Sequence, residues 1–343
     1  MQGMLDAAII GAGPIGIEMA AALKRDGLSF VHLEQGRLAE TVFQYPPSTR
    51  FFSSPERIAI AGIPFLTPDQ AKGTREEYLT YLRSVAMQLE LNIRFFERVS
   101  RMERVSDGFT LESQHVFRLT RHVYSAKRVI LATGDMHKPR KLGVPGEDLP
   151  HVRHFLEDPH TFFGQRVLIV GGKNSAAEAA IRLNRAGSRV TLCHRGPELP
   201  AKSIKYWILP ELLGLIRLGS IRLLADSRVK RISSERTKIE TPQGVVEEEF
   251  DFVLLLTGYE CDPSLYAACG IETDPETQRP SWNPETMESS VPGIYIAGTG
   301  AAGTQKPYEL FIENCHEHVD RIVNAITGRK QPVFRKFFDL PES

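Results

Sequence analysis

The 343-residue sequence predicts an α/β fold with two βαβ-based, interleaved dinucleotide-binding domains. Three observations predict it. An apolar strand signal at Ala7–Ile10 runs into a glycine turn and a segment with helical spacing, and the same succession restarts at Arg166, about 160 residues later. A bridge rich in proline and glycine, Pro139 to Pro150, separates the two copies. A last strand from Gly293 runs into a further glycine-rich turn and a helix. The length also suits two domains of roughly 100–200 residues each.

Taken in order, Ala7–Ile10 is a short apolar strand, Ile15–Lys24 a helix ending near Gly27, and Phe30–Leu33 the next strand. Residues 40–70 carry Pro46, Pro47, Pro55, Pro64 and Pro68 and are expected to be irregular. Thr74 followed by Glu77 forms a capping box that opens a helix to Leu89, with Tyr78, Leu82, Val85 and Leu89 on one face. From Ile93 to Val129 short strands alternate with turn signals such as Asp107-Gly108, and Val129–Gly134 closes the region. After the bridge come a strand at Arg166–Val170, a turn at Gly171-Gly172, a helix at Ser175–Arg185 and a strand at Arg189–Cys193. Further strands are expected at Ile221–Leu224, Phe250–Leu256 and Gly293–Ala297, and a final helix from Pro307 to Ile326.

Composition sets limits. Apolar residues make up 42% and charged residues 24%, the balance of a globular chain. Forty-two basic and 42 acidic residues cancel, so overall charge gives no support to a nucleic-acid or anionic-membrane partner. The first residues lack the pattern of a secretory signal, and no apolar run approaches the roughly 18 residues that cross a bilayer. A cytoplasmic location is expected. Cys193, Cys261, Cys269 and Cys315 form no Cys-x-x-Cys pair and suit buried small hydrophobes better than a disulfide framework.

Two motifs carry chemistry. Gly11-Ala12-Gly13-Pro14-Ile15-Gly16 follows a strand and opens a helix. In that context the first glycine allows a tight turn, the second lets backbone approach a pyrophosphate, and the third lets helix and strand pack closely. The helix N-terminus then faces the phosphates. Glu34 ends the following strand, where a carboxylate accepts from ribose hydroxyls and repels a 2′-phosphate, so this turn suits FAD or NAD. The second motif, Gly171-Gly172-Lys173-Asn174-Ser175-Ala176-Ala177-Glu178, has a weaker glycine pattern, with Asn174 and Ala177 where further glycines are common. Its following strand ends in His194-Arg195, a cationic pair fitted to a 2′-phosphate, which predicts NADPH over NADH. Lys202 and Lys205 add positive charge nearby. Two such sites in one chain imply hydride transfer from a nicotinamide to a flavin. Ala132-Thr133-Gly134 and Thr257-Gly258 end apolar strands where chain is expected to cross between domains beside a cofactor, and the N-terminus of the last helix is expected to stabilise negative charge on a reduced flavin.

At these residues the chain resembles the low-molecular-weight thioredoxin reductase superfamily and, within it, the YpdA-type group of bacillithiol disulfide reductases. The likeness extends to Tyr45-Pro46, Phe51-Phe52-Ser53-Ser54, Val144–Pro150, Trp207–Glu211, Thr257-Gly258-Tyr259 and Phe311-Ile312-Glu313-Asn314. It implies two Rossmann-like, three-layer dinucleotide-binding domains: an FAD domain at 1–138 and 257–343, and an NADPH domain inserted at 139–256. It implies FAD contacts from Gly11, Gly13, Pro14, Ile15, Gly16, Glu34, Gln35, Tyr45, Ser53, Thr133, Gly134, Gly298, Thr299 and Lys306. NADPH contacts are implied from Gly171, Gly172, Lys173, Asn174, Ser175, Ala176, His194, Arg195, Lys205, Thr257 and Gly258. No metal is implied. The resemblance also implies a homodimer or homotetramer in which NADPH reduces FAD and the flavin reduces a low-molecular-weight disulfide.

One departure is informative. Members of the group carry a cysteine after the proline of the first glycine loop, and this chain has Ile15. Isoleucine forms no thiolate and no mixed disulfide, so the flavin itself is expected to be the redox centre. Cys315, placed about two turns into the final helix, is expected to lie too far away, whereas Cys193 beside His194-Arg195 is exposed to a field that could lower its pKa. The acceptor is then a small molecule or small protein: a bacillithiol-type disulfide, or, alternatively, ferredoxin or flavodoxin, for which the basic, aromatic tail Arg329–Phe338 offers a surface. A redox sensor without turnover is the third alternative.

Overall fold

The computed structural model describes residues 3–306 and 308–334. Pro307 and the Arg335–Phe338 half of the basic tail lie outside the described residues. The chain divides into two compact units. One comprises the residues up to Gln44, Ser48–Lys138 and those from Glu260 onward, and the other comprises Tyr45–Pro47 and Pro139–Tyr259. The fold is α/β with two parallel sheets.

In the first unit five parallel strands lie in the order Ile294–Ile296, Val129–Leu131, Ala7–Ile10, Phe30–Leu33, Ile93–Arg94. All four residues of Ala7–Ile10 are buried, as expected of a strand covered on both faces. Ile9, Ile130 and Leu131 share a core with Met19 and Leu23 of helix Pro14–Arg25 and with Val319, Ile322 and Val323 of helix Ile312–Thr327. The same core takes Phe109, Leu111 and Tyr124 from an antiparallel sheet of Glu97–Val105, Gly108–His115 and Arg121–Ala126. Each such aliphatic side chain contributes about 1.5–3 kcal/mol on burial. The expected capping box is present, with Glu77 N–H donating to Thr74 Oγ1 at 3.2 Å and Thr74 N–H to Glu77 Oε2 at 2.7 Å, and it opens helix Arg75–Gln88.

The second unit repeats the plan. Its parallel order is Ile221–Leu224, Arg189–Cys193, Arg166–Val170, Phe252–Leu255, Val152–Arg153. Helix Asn174–Arg185 returns the chain from Arg166–Val170 to Arg189–Cys193, and an antiparallel sheet of Arg228–Ile232, Thr237–Thr241 and Gly244–Glu248 precedes Phe252–Leu255. In both units the strand that feeds the glycine turn is central. The two chain crossings, Lys138–Pro139 and Tyr259–Glu260, pair as a two-stranded ribbon.

Three expectations are corrected. Residues 257–259 cluster with the second unit, because Thr257 Oγ1 donates to Arg140 O at 2.5 Å and Arg140 N–H donates to Gly258 O at 2.9 Å. Tyr45–Pro47 also clusters there, where Arg182 Nη2 donates to Pro47 O. The final helix starts at Ile312, not at Pro307. Gln305 accounts for the delay: its Oε1 accepts from Glu309 N–H at 2.7 Å and from Leu310 N–H at 2.8 Å, and its Nε2 donates to Leu310 O at 3.0 Å. Those bonds fix a non-helical loop until Asn314 Oδ1 accepts from Phe311 N–H at 2.8 Å and opens the helix.

Candidate functional site: two glycine turns

The first turn shows why each glycine is there. Gly11 has φ +106°, and a Cβ on it would overlap the carbonyl oxygen of Ala132 on the neighbouring strand end. A Cβ on Gly16 would overlap the carbonyl oxygen of Gly11, so this glycine sets the approach of helix to strand. Gly13 is different: its φ is −72°, and a Cβ there would meet nothing within 4 Å. Nothing in the chain itself requires a glycine at this place. The free space lies at the N-terminus of helix Pro14–Arg25, whose first turn holds no acidic side chain, as an incoming diphosphate demands.

Glu34 is buried beside this turn, with Oε2 accepting from Ala12 N–H at 2.7 Å and Oε1 from Gly36 N–H at 2.7 Å. Burial pushes its carboxyl up, and the two backbone donors oppose that shift. His32, fully buried on the same strand, donates from Nε2 to Gly11 O at 2.9 Å, and burial holds its pKa down at about 4. Ile15 is buried against the Gly298 turn, where a Cβ on Gly298 would sit 3.4 Å from that of Ile15. A Cβ on Gly134 would lie 3.8 Å from Thr299 Oγ1. The fold therefore gathers Gly11, Gly13, Pro14, Ile15, Gly16 and Glu34 with Thr133, Gly134, Gly298 and Thr299. Gln35 is exposed just past Glu34, Ser53 is half-buried before the short helix Pro55–Ile58, and Lys306 is exposed on the Gln305 loop. Tyr45 clusters with the second unit.

The second turn repeats backbone bonds of the first. Gly11 N–H donates to Leu33 O at 2.8 Å, and Gly171 N–H donates to Cys193 O at 3.1 Å. The helices open at Pro14 and Asn174 respectively. Lys173 and Ala176 therefore stand at the places of Gly13 and Gly16, which corrects the expectation that Asn174 and Ala177 did. A Cβ on Gly171 would lie 2.7 Å from Leu256 O, the counterpart of the Gly11 approach to Ala132. His194 occupies the place of Glu34. Its ring lies against Gly172, where any Cβ would overlap it, and against Gly196, and its Nδ1 donates to Gly171 O at 3.3 Å. His194 thus builds the turn, and exposed Arg195 is left as the outward cation at this strand end. Lys205 N–H donates to Asn174 Oδ1 at 2.8 Å, bringing Lys205 to the same turn. Thr257 and Gly258 lie at the following strand end, held by Arg140.

Sequence reasoning missed Asp135 and Gln305. Asp135 is buried directly after Gly134, accepts from Gln305 Nε2 at 2.8 Å, and burial pushes its carboxyl up. A carboxylate four residues beyond the apolar strand Val129–Leu131 was the available signal for Asp135. Gln305 carried none, since its four bonds, three within its own loop and one to Asp135, form only on folding.

Three of the four cysteines are buried and Cys269 is partly buried. Cys193, Cys261 and Cys315 are buried, and burial pushes the thiols of Cys193, Cys261 and Cys269 up to about 11, 12 and 12 and raises that of Cys315 as well. The idea that His194-Arg195 lowers the Cys193 pKa is overturned: its Sγ points inward, 3.5 Å from Ser227 O. Cys315 lies in the first turn of its helix, not two turns along, and is fully buried. Among the described residues no cluster of three or more His, Cys, Asp or Glu is arranged to hold a metal, and no helix is long and apolar enough to cross a membrane.

Known proteins resemble this chain. Bacilliredoxin reductase Bdr of Bacillus subtilis (strain 168) is 37% identical over 325 residues, 94% of this chain and 98% of that protein. The solved structure of bacillithiol disulfide reductase Bdr (YpdA) from Bacillus cereus matches with a TM-score of 0.90 at 34% identity, covering 96% of this chain and all (100%) of the other. A ferredoxin–NADP reductase of Ignicoccus hospitalis is 30% identical over 241 residues, 68% of each chain. The model of the pyridine nucleotide-disulphide oxidoreductases matches residues 8–298, from the first strand through both glycine turns to Gly298. The chain belongs to the pyridine nucleotide-disulphide oxidoreductase family.

Proposed function

We propose that this FAD- and NADPH-dependent oxidoreductase passes electrons to a low-molecular-weight disulfide of the bacillithiol type, or to a small protein carrying one. The first unit is the FAD domain and the second the inserted NADPH domain, each Rossmann-like. One observation carries the reading: two glycine turns with the same bonding end their second strands in opposite charge, buried Glu34 in one and exposed Arg195 in the other. Gly13 leaves room for a diphosphate, the N–H groups of helix Pro14–Arg25 face it, and Glu34 accepts from ribose hydroxyls while repelling a 2′-phosphate. Arg195 and Lys205 favour a 2′-phosphate at the other turn.

When bound, NADPH would supply a hydride and FAD the redox chemistry that carries its two electrons to the acceptor. The net reaction is RSSR + NADPH + H⁺ → 2 RSH + NADP⁺. The chain contributes no thiolate, because Ile15 stands in the first turn and the four thiols are held protonated by burial. Its residues bind, orient and exclude water, and no protein disulfide intervenes. Names of relatives favour both a bacillithiol disulfide and a bacilliredoxin as acceptor. The second reading, a ferredoxin reductase, is favoured by the same missing thiol together with the Ignicoccus relative.

The test is an anaerobic experiment on FAD-loaded protein. NADPH should bleach the flavin, and bacillithiol disulfide, alone or with a bacilliredoxin, should restore its colour with turnover. Arg195→Ala should reduce the NADPH/NADH ratio of kcat/KM by about 10- to 100-fold. Protein that takes up no flavin overturns the proposal, and turnover with ferredoxin alone replaces it with the second reading.

A further inference from the structure

We propose that Asn174 is a positioning residue for nucleotide specificity: it ties the loop 200–208 to the second glycine turn and so sets Lys205 where a 2′-phosphate arrives. The inference rests on the reading that this turn takes NADPH. Asn174 is the first residue of helix Asn174–Arg185, and its Oδ1 accepts from the backbone N–H of Lys205 at 2.8 Å. Because the donor is a backbone amide, the bond fixes the loop itself. The first turn has Pro14 at this position, which has no side-chain acceptor.

The rest of the loop is braced to make that tether count. Lys205 O accepts from Ile208 N–H at 2.9 Å and Leu209 N–H at 3.1 Å, opening helix Leu209–Arg217. Ile204 and Ile208, on either side of the exposed Tyr206-Trp207 pair, are buried at 4% and 8% exposure. The Lys205 ammonium lies 5.7 Å from the centre of the Trp207 ring, which limits its sweep. A lysine whose backbone is bonded on both sides loses less freedom when it meets an anion, and that saving appears as affinity for the extra phosphate alone.

The test uses FAD-loaded enzyme titrated calorimetrically with 2′,5′-ADP and with 5′-ADP. Asn174→Ala should weaken 2′,5′-ADP by about 5- to 10-fold more than 5′-ADP, the scale of one hydrogen bond or ion pair. Lys205→Ala should do the same, and the double variant should lose no more than the larger single loss, because Asn174 acts through Lys205. Equal weakening of both ligands by Asn174→Ala, or losses in the two variants that multiply, overturns the inference. Wild-type enzyme that binds both ligands equally overturns the NADPH reading, and this inference with it.

Discussion

The two glycine turns have one backbone and two chemistries. Position by position, Gly11 matches Gly171, Ala12 matches Gly172, Gly13 matches Lys173, Gly16 matches Ala176 and Glu34 matches His194. Where Glu34 lies alongside the turn and accepts from Ala12 N–H, an alanine is tolerated; where the His194 ring lies on the turn, only Gly172 fits. A glycine in such a motif can therefore answer to a neighbouring strand, to its own helix, to the side chain of the next strand, or to something the chain does not contain. Gly13 is the last kind.

That distinction can be broken by two single methyl groups. Gly16→Ala puts a Cβ into the Gly11 carbonyl and should cost about 3 kcal/mol or more of stability, read as a lowered midpoint in urea and loss of flavin together. Gly13→Ala meets open space and a negative φ, so the flavin-free chain should unfold within about 0.5 kcal/mol of wild type while its FAD affinity falls. Flavin retained at full affinity by Gly13→Ala would show that the space serves no cofactor.

Much of this was legible beforehand because it is local. The strand–turn–helix order, the Thr74/Glu77 cap and the contrast of Glu34 with Arg195 depend on residues close in sequence. The misjudged features depend on side-chain contacts that form only in the folded chain. Nothing near Pro307 reveals that Gln305 will bond to Asp135 and to Leu310, delaying the helix to Ile312. Nothing near His194 reveals that its ring will fill the space over Gly172. The weaker glycine pattern of the second turn could be aligned only once the bonds from Gly11 and Gly171 were seen to match.

Both turns receive a histidine N–H on the carbonyl of their first glycine, but His32 is fully buried and His194 is half-exposed. Burial holds the His32 pKa at about 4 against an ordinary 6.5, so the folded state binds fewer protons than the unfolded one between those values. Stability from this group is complete above pH 6.5 and is lost as pH falls toward 4. Urea titrations from pH 7 to 4.5 should show a loss on the order of 1–3 kcal/mol. His32→Leu should lower stability at pH 7, since Gly11 O loses its donor, and should flatten that pH slope. An unchanged slope would place the acid sensitivity elsewhere.

The smallest expected effect is none at all, and it bears on why the first turn can do without a thiol. If Ile15 leaves the flavin as the sole redox centre, anaerobic dithionite should reduce the FAD-loaded enzyme with about two electrons per chain, whereas a flavin joined to a redox-active disulfide would take about four. Iodoacetamide at pH 7.5 should leave turnover intact, because alkylation needs the thiolate and burial holds Cys193, Cys261 and Cys269 near 11 to 12. Cys269 is the sharpest probe, being the one of the four that is only partly buried. Rapid alkylation there with loss of turnover, or uptake of four electrons, would mean that a thiol outside the glycine turn had taken over the role Ile15 cannot fill.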